Sequence, residues 1–125
     1  MTPTDVVVQY LELFETGDAD GIAALVSPEF ENDHTAALGS GCTGRNEYRR
    51  RLPGFIASMP GLRYEIEQVI SQDAHVAVAY VLHAVVNDRP IAVRGMMRFL
   101  VRDGLITRRT DYWDSLVFQR QAGLA

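Results

Sequence analysis

The chain has 125 residues, 47% hydrophobic and 22% charged, with a formal net charge of −4 and a single cysteine. That length is one domain, large enough for a real core. The acidic balance excludes the basic footprint of a nucleic-acid binder and a polybasic membrane-binding face. Cys42 alone makes no intramolecular disulfide and no cysteine zinc site, which fits a reducing, cytoplasmic setting.

The opening "MTPTDVVVQY" has no basic segment followed by an apolar stretch and does not read as a signal peptide. No apolar run approaches the roughly 18 to 20 residues of a membrane span. The spacing of Val6, Tyr10, Leu13 and Phe14 predicts a helix starting near Thr4, with Thr4 as cap and Asp5 at the positive end of its dipole. Gly17 suits the end of that helix, and Asp18 caps a second one expected to run through Val26 and stop before Pro28. "FENDH" predicts a short strand with Phe30, Asn32 and His34 on one side, Glu31 and Asp33 on the other. A loop over 35–43 leads to a third helix at "GRNEYRRRL", with a break expected at Pro53 and Gly54. The arginines Arg49, Arg50 and Arg51 predict a solvated helix face.

After Pro60 the pattern is β. Leu62, Tyr64, Ile66, Gln68 and Ile70 alternate with Arg63, Glu65, Glu67 and Val69. Turns at "QDAH", "NDRP" and "RDG" separate three further long strands, the last expected to run through "LITRRTDYWDSLVF". Helices first and a meander afterwards predict a single α+β domain over 1–125: three N-terminal helices on a strongly curved, mostly antiparallel sheet that encloses a pocket.

The order of helix, "GDADGIAAL" turn and helix, short polar strand, glycine loop, third helix and hairpins ending in "DGLITRRTDYWD" resembles the NTF2-like superfamily. Within it the chain is most similar to the SnoaL-like polyketide cyclases, with ketosteroid isomerases and limonene-epoxide hydrolases as cousins. The resemblance implies an NTF2-like cone and cofactor-free chemistry on a small hydrophobic ligand. By the isomerase pattern Tyr10 stands as an oxyanion donor, His34 takes the place of the aspartate base, and Met97 replaces the second donor while lining the cavity. By the hydrolase pattern Asp111 matches the last aspartate, Asn32 the asparagine and Phe30 the tyrosine. Tyr80 and Leu82 fall where the arginine–aspartate half would stand. Both sets are incomplete, which disfavours ordinary ketosteroid isomerisation and epoxide hydrolysis. By the cyclase pattern Asp111 is the pocket base.

Within "LITRRTDYWDSL", Arg109, Asp111 and Trp113 share one face and Arg108, Thr110, Tyr112 and Asp114 the other. The resemblance turns the Asp111 face to the cavity. The catalytic candidates are therefore Asp111, His34 and Tyr10. Candidate ligand contacts are Asn32, Arg109, Trp113, Met97, Phe30 and Tyr80. No metal ligand set is read, because His75 and His83 have no partner at ligand spacing. Two functions remain open: an isomerase- or cyclase-type enzyme acting on a carbonyl compound, and a binding or assembly module in which the Asp–Arg pair is only structural. Apolar residues on the outer sheet face (Tyr112, Val81, Met96, Leu100) predict a homodimer.

Overall fold

The computed structural model describes residues 1–125. Helix α1 spans Pro3–Thr16 and is capped by Thr2, two residues earlier than the sequence suggests. Pro3 takes the first helical position, where a missing N–H is no loss. Thr2 Oγ1 accepts from the Asp5 amide at 3.1 Å, and Asp5 Oδ2 accepts from the Thr2 amide at 3.0 Å. Val6, Val7, Tyr10, Leu11 and Phe14 are all buried, a wider stripe than expected. Gly17, at φ 72°, ends the helix in the left-handed region, as its position suggested.

Asp18 caps α2, Ala19–Ala23, by accepting from the Gly21 amide at 2.9 Å. This helix is shorter than expected, because Val26 already belongs to strand β1, Val26–His34. Pro28 lies inside β1, exposed, where the register with the neighbouring strand shifts between Val26 and Glu31. A proline cannot donate to a ladder, so it sits where the ladder is interrupted. Arg45 fills part of that gap by donating from Nε to the Val26 carbonyl at 2.9 Å.

A two-residue strand β2, Cys42–Thr43, pairs with β1, and helix α3 then runs over Arg45–Ser58. The break expected at Pro53 is absent. Pro53 is exposed, so its missing N–H falls on the solvent side while Tyr48 and Leu52 bury the other face. The arginine run is an ion-paired surface: Arg49 meets Asp20, and Arg50 and Arg51 meet Glu47.

Strands β3, Arg63–Gln72, β4, His75–Val86, β5, Arg89–Arg102, and β6, Leu105–Trp113, form the meander. Asn87 and Asp88, at φ 53° and 60°, make the β4–β5 turn; Asp103 and Gly104, at 52° and 76°, make the β5–β6 turn. These are the left-handed pairs that suit right-twisted hairpins. The strict alternation expected for β3 fails at a bulge between Ile66 and Gln68. Beyond it the parity flips, so Val69 packs on the core and Ile70 is 56% exposed.

The sheet order is β2-β1-β6-β5-β4-β3, with β1 and β6 parallel and the other pairs antiparallel. Its strands curl around α1, which touches β3, β4, β5 and β6 in turn. The α+β class holds, but the helix layer differs from expectation. There are four helices, the first three interleaved with β1 and β2. The fourth, α4 over Ser115–Gln121, replaces the end of the predicted last strand. Asp114 Oδ1 caps it by accepting from the Leu116 amide at 2.9 Å, which outweighs the strand-like run Leu116–Phe118. No helix is long and apolar enough to cross a membrane.

Candidate active site

The mouth of the curled sheet holds two adjoining cavities. The larger, about 280 Å³, is mostly apolar and is walled by Phe55, Met59, Leu82, Val93 and Phe118, with His34, Tyr64, Tyr80, Asp111 and Trp113 among the remaining lining. The smaller, about 210 Å³, includes Asn32, Tyr48 and Arg109. His34, Ser40 and Phe55 belong to both walls. Helix α4 contributes Phe118, which meets Trp113 edge-on at 6.0 Å.

Asp111 and Arg109 stand two residues apart on the inner face of β6, and each is only 3% exposed. Arg109 Nη2 donates to Asp111 Oδ2 at 3.0 Å, and the Tyr80 hydroxyl donates to Oδ1 at 2.6 Å. Charge neutralisation and two hydrogen bonds make a buried carboxylate tolerable here. Arg109 also donates from Nη1 to Tyr10 Oη at 2.9 Å and from Nη2 to Tyr64 Oη at 3.3 Å. Its guanidinium carbon lies 5.8 Å from the ring centroids of Tyr10 and Phe14. Burial works against its charge, but Tyr10, Tyr64 and Asp111 around it hold its pKa above the ordinary value.

The parallel β1–β6 register sets His34 opposite Asp111 and Asn32 opposite Arg109. Thr35 secures that end, its amide and its hydroxyl both donating to the Asp111 carbonyl at 3.1 Å. Trp113 Nε1 donates to His34 Nδ1 at 3.2 Å. An indole N–H can only donate, so Nδ1 is an acceptor and the imidazole proton sits on Nε2. Burial, reinforced by Arg109 and only partly offset by Asp111 and Asp33, pushes the His34 pKa down to about 4. The imidazole is therefore neutral near pH 7, and its 3.8 Å approach to Asp111 Oδ2 is not an ion pair there.

Tyr64 was not anticipated as a site residue. Its inward parity on β3 was visible, but its contact with Arg109 joins residues 45 apart. Burial pushes its pKa up to about 12, so the phenol keeps its proton. Since its oxygen accepts from Arg109, that proton is free to point at a ligand. Burial and the neighbouring Asp111 also raise the pKa of Tyr80.

Of the residues expected at the site, His34, Tyr80, Asp111 and Trp113 line the larger cavity, and Asn32, His34 and Arg109 the smaller. Tyr10, Phe30 and Met97 line neither. All three are fully buried in the main core. Tyr10 spends its hydroxyl on Tyr48 and Arg109. Phe30 packs on Tyr48 at 4.8 Å between ring centroids. Met97 pairs with Asp111 across β5–β6, yet it lies within the same core cluster as the α1 side chains rather than on the expected cavity wall. No group of three His, Cys, Asp or Glu side chains is placed to hold a metal ion.

A family model for the SnoaL-like domain matches residues 7–109. The chain belongs to the SnoaL-like family. Its fold is that of several solved structures. One is a protein of ketosteroid isomerase-like fold from Catenulispora acidiphila DSM 44928, determined with trimethylamine (20% identity, 100% of this chain and 96% of the other, TM-score 0.88). Another is a candidate polyketide cyclase from Xanthomonas campestris pv. campestris (26% identity, 96% of each chain, TM-score 0.80). A third is an LEH-like epoxide hydrolase of M. tuberculosis (18% identity, 95% of this chain and 88% of the other, TM-score 0.83). No curated protein matches the chain in sequence. A SnoaL-like fold hosts different chemistries, so function has to be argued from the site.

Proposed function

We propose that this SnoaL-like protein is a cofactor-free enzyme that moves protons next to a carbonyl group of a small hydrophobic molecule, in an isomerisation or an aldol-type cyclisation. The observation that carries this reading is the Asp111 carboxylate, buried beside two phenols and an imidazole in a mostly apolar cavity. Tyr80 and Arg109 each occupy one carboxylate oxygen, and the remaining lone pairs can take a proton from carbon. The C–H bond breaks, an O–H bond forms on Asp111, and the electron pair moves onto the carbonyl oxygen as an enolate. The Tyr64 hydroxyl and His34 Nε2–H donate to that oxygen. Asp111 then returns the proton to another carbon, or the enolate carbon attacks a second carbonyl, whose oxygen takes the proton back from Asp111 as the first carbonyl re-forms.

This assignment makes Asp111 the base and His34 a donor, since Trp113 already occupies Nδ1. Tyr10 becomes a positioning residue that holds Arg109. The trimethylamine bound by the Catenulispora protein supports a small-molecule occupant. The lone cysteine supports a reducing, cytoplasmic setting. The half-exposed Met96 and Tyr112 on the outer sheet face support a homodimer, to be checked by sedimentation at tens of micromolar.

The test is solvent-deuterium uptake at the activated CH₂ of 2-tetralone. The protein should accelerate uptake over buffer, and Asp111→Asn should abolish the acceleration. No acceleration by the parent protein would favour a second reading, a ligand-binding module. The fact that both Asp111 oxygens already hold protein hydrogen bonds speaks for that alternative.

A further inference from the structure

Two buried polar atoms of residues that line the smaller cavity make no hydrogen bond within the protein: Arg109 Nε, a donor, and Asn32 Oδ1, an acceptor. They belong to residues that are direct partners in the β1–β6 ladder, and both side chains line that cavity. Neighbouring strands lie about 4.8 Å apart, so the side chains of ladder partners are close enough for one small group to touch both. Leaving such atoms unpaired is unfavourable, and each orphan is a place where a ligand group gains on binding.

We propose that the smaller cavity is a subsite for a hydroxyl group of the ligand, which accepts from Arg109 Nε–H and donates to Asn32 Oδ1. A hydroxyl is the one common group that does both at a single atom. A ketone or ether oxygen satisfies Arg109 but leaves Asn32 Oδ1 facing another acceptor. A carboxylate adds repulsion from Asn32 Oδ1, and Arg109 is already neutralised by Asp111 at 3.0 Å. The shared wall of His34, Ser40 and Phe55 joins this subsite to the larger cavity. Resting on the proton-transfer reading above, the substrate class is a hydrophobic hydroxy-carbonyl compound. Its carbonyl lies beside Asp111 and Tyr64, its hydroxyl between Asn32 and Arg109.

The experiment compares 2-naphthol with 2-methylnaphthalene, nearly the same shape with a hydroxyl exchanged for a methyl, by calorimetric titration. The parent protein should bind 2-naphthol about tenfold more tightly, the size of one well-placed buried hydrogen-bond set. Asn32→Leu should erase that preference. Independently of any variant, the Asn32 side-chain amide protons should show nuclear Overhauser contacts to bound 2-naphthol. Equal affinities, as a fixed water bridging the pair would give, overturn the proposal. So do a preference that survives in Asn32→Leu, missing contacts to Asn32, and no binding of either probe. Since 2-tetralone carries no hydroxyl and the titration reads no turnover, failure of the subsite leaves the proton-exchange result standing, and the reverse holds too.

Discussion

Gly95 faces Tyr80 directly across the β4–β5 ladder, and a methyl group on Gly95 would lie 2.6 Å from Tyr80 Cζ and 2.8 Å from the Tyr112 carbonyl oxygen. The absence of a side chain at 95 is what lets the Tyr80 ring lie over β5 and reach Asp111. Gly95→Ala should therefore destabilise the protein by about 1–3 kcal/mol through overpacking and loosen the Tyr80–Asp111 bond. Gly54→Ala is the control: it lies in α3 with nothing within 4 Å, and should be neutral or slightly stabilising. Urea unfolding of the two variants distinguishes them.

The two aspartates of "TDYWD" serve different ends of the same segment. Asp111 faces the cavity, whereas Asp114 caps α4. Asp111→Asn should remove 2-tetralone exchange, because an amide cannot take the proton. Asp114→Asn keeps a capping oxygen and should retain exchange within about twofold, with a stability change below about 0.5 kcal/mol. Equal effects in the exchange assay would refute the site.

Removing one partner of the buried pair should be far worse than removing both. Arg109→Met strands the Asp111 charge and should reduce stability by about 3–5 kcal/mol, a large share of what a domain of this size holds. In the double variant Arg109→Met, Asp111→Leu, most of that loss should return, while exchange stays absent. Denaturant midpoints of the parent, the single variant and the double variant give the comparison.

His34 should make the fold sensitive to mild acid. Its folded-state pKa is about 4, below the ordinary 6.5. Between those values the unfolded chain takes up a proton that the folded protein resists, so stability falls as pH drops through this window. The contribution is about 3 kcal/mol, fully present above pH 6.5 and lost by about pH 4. His34→Gln cannot titrate and should lose correspondingly less between pH 7 and pH 4, by urea unfolding at each pH. Parallel losses in the two proteins would show that the imidazole is not buried as described.

Local chemistry decided much of this molecule before any tertiary contact. Gly17 and Asp18 end one helix and start the next, Asn87–Asp88 and Asp103–Gly104 make hairpin turns, and period two sets Asp111 and Arg109 on one face of β6. These features depend on backbone propensity and alternation, which neighbours in sequence fix. The family resemblance rested on the same order of signals. What the sequence left open depends on distant partners. Pro53 passes through α3 because its face meets solvent, and β1 carries Pro28 because the ladder to β6 is interrupted there. The β3 bulge reverses parity after Ile66 because pairing with β4 shifts there. The site itself was legible only in part. Parity and the resemblance pointed to Asp111, Arg109, Trp113 and His34, but Met97, Phe30 and Tyr10 share the inward direction and are sealed in the core. Alternation says which way a side chain points; how much protein lies in front of it is set by packing. The parallel pairing of β1 with β6 brings His34 to Asp111 and Asn32 to Arg109, and it joins segments more than seventy residues apart. No local pattern encodes that register, and the proposed chemistry depends on it.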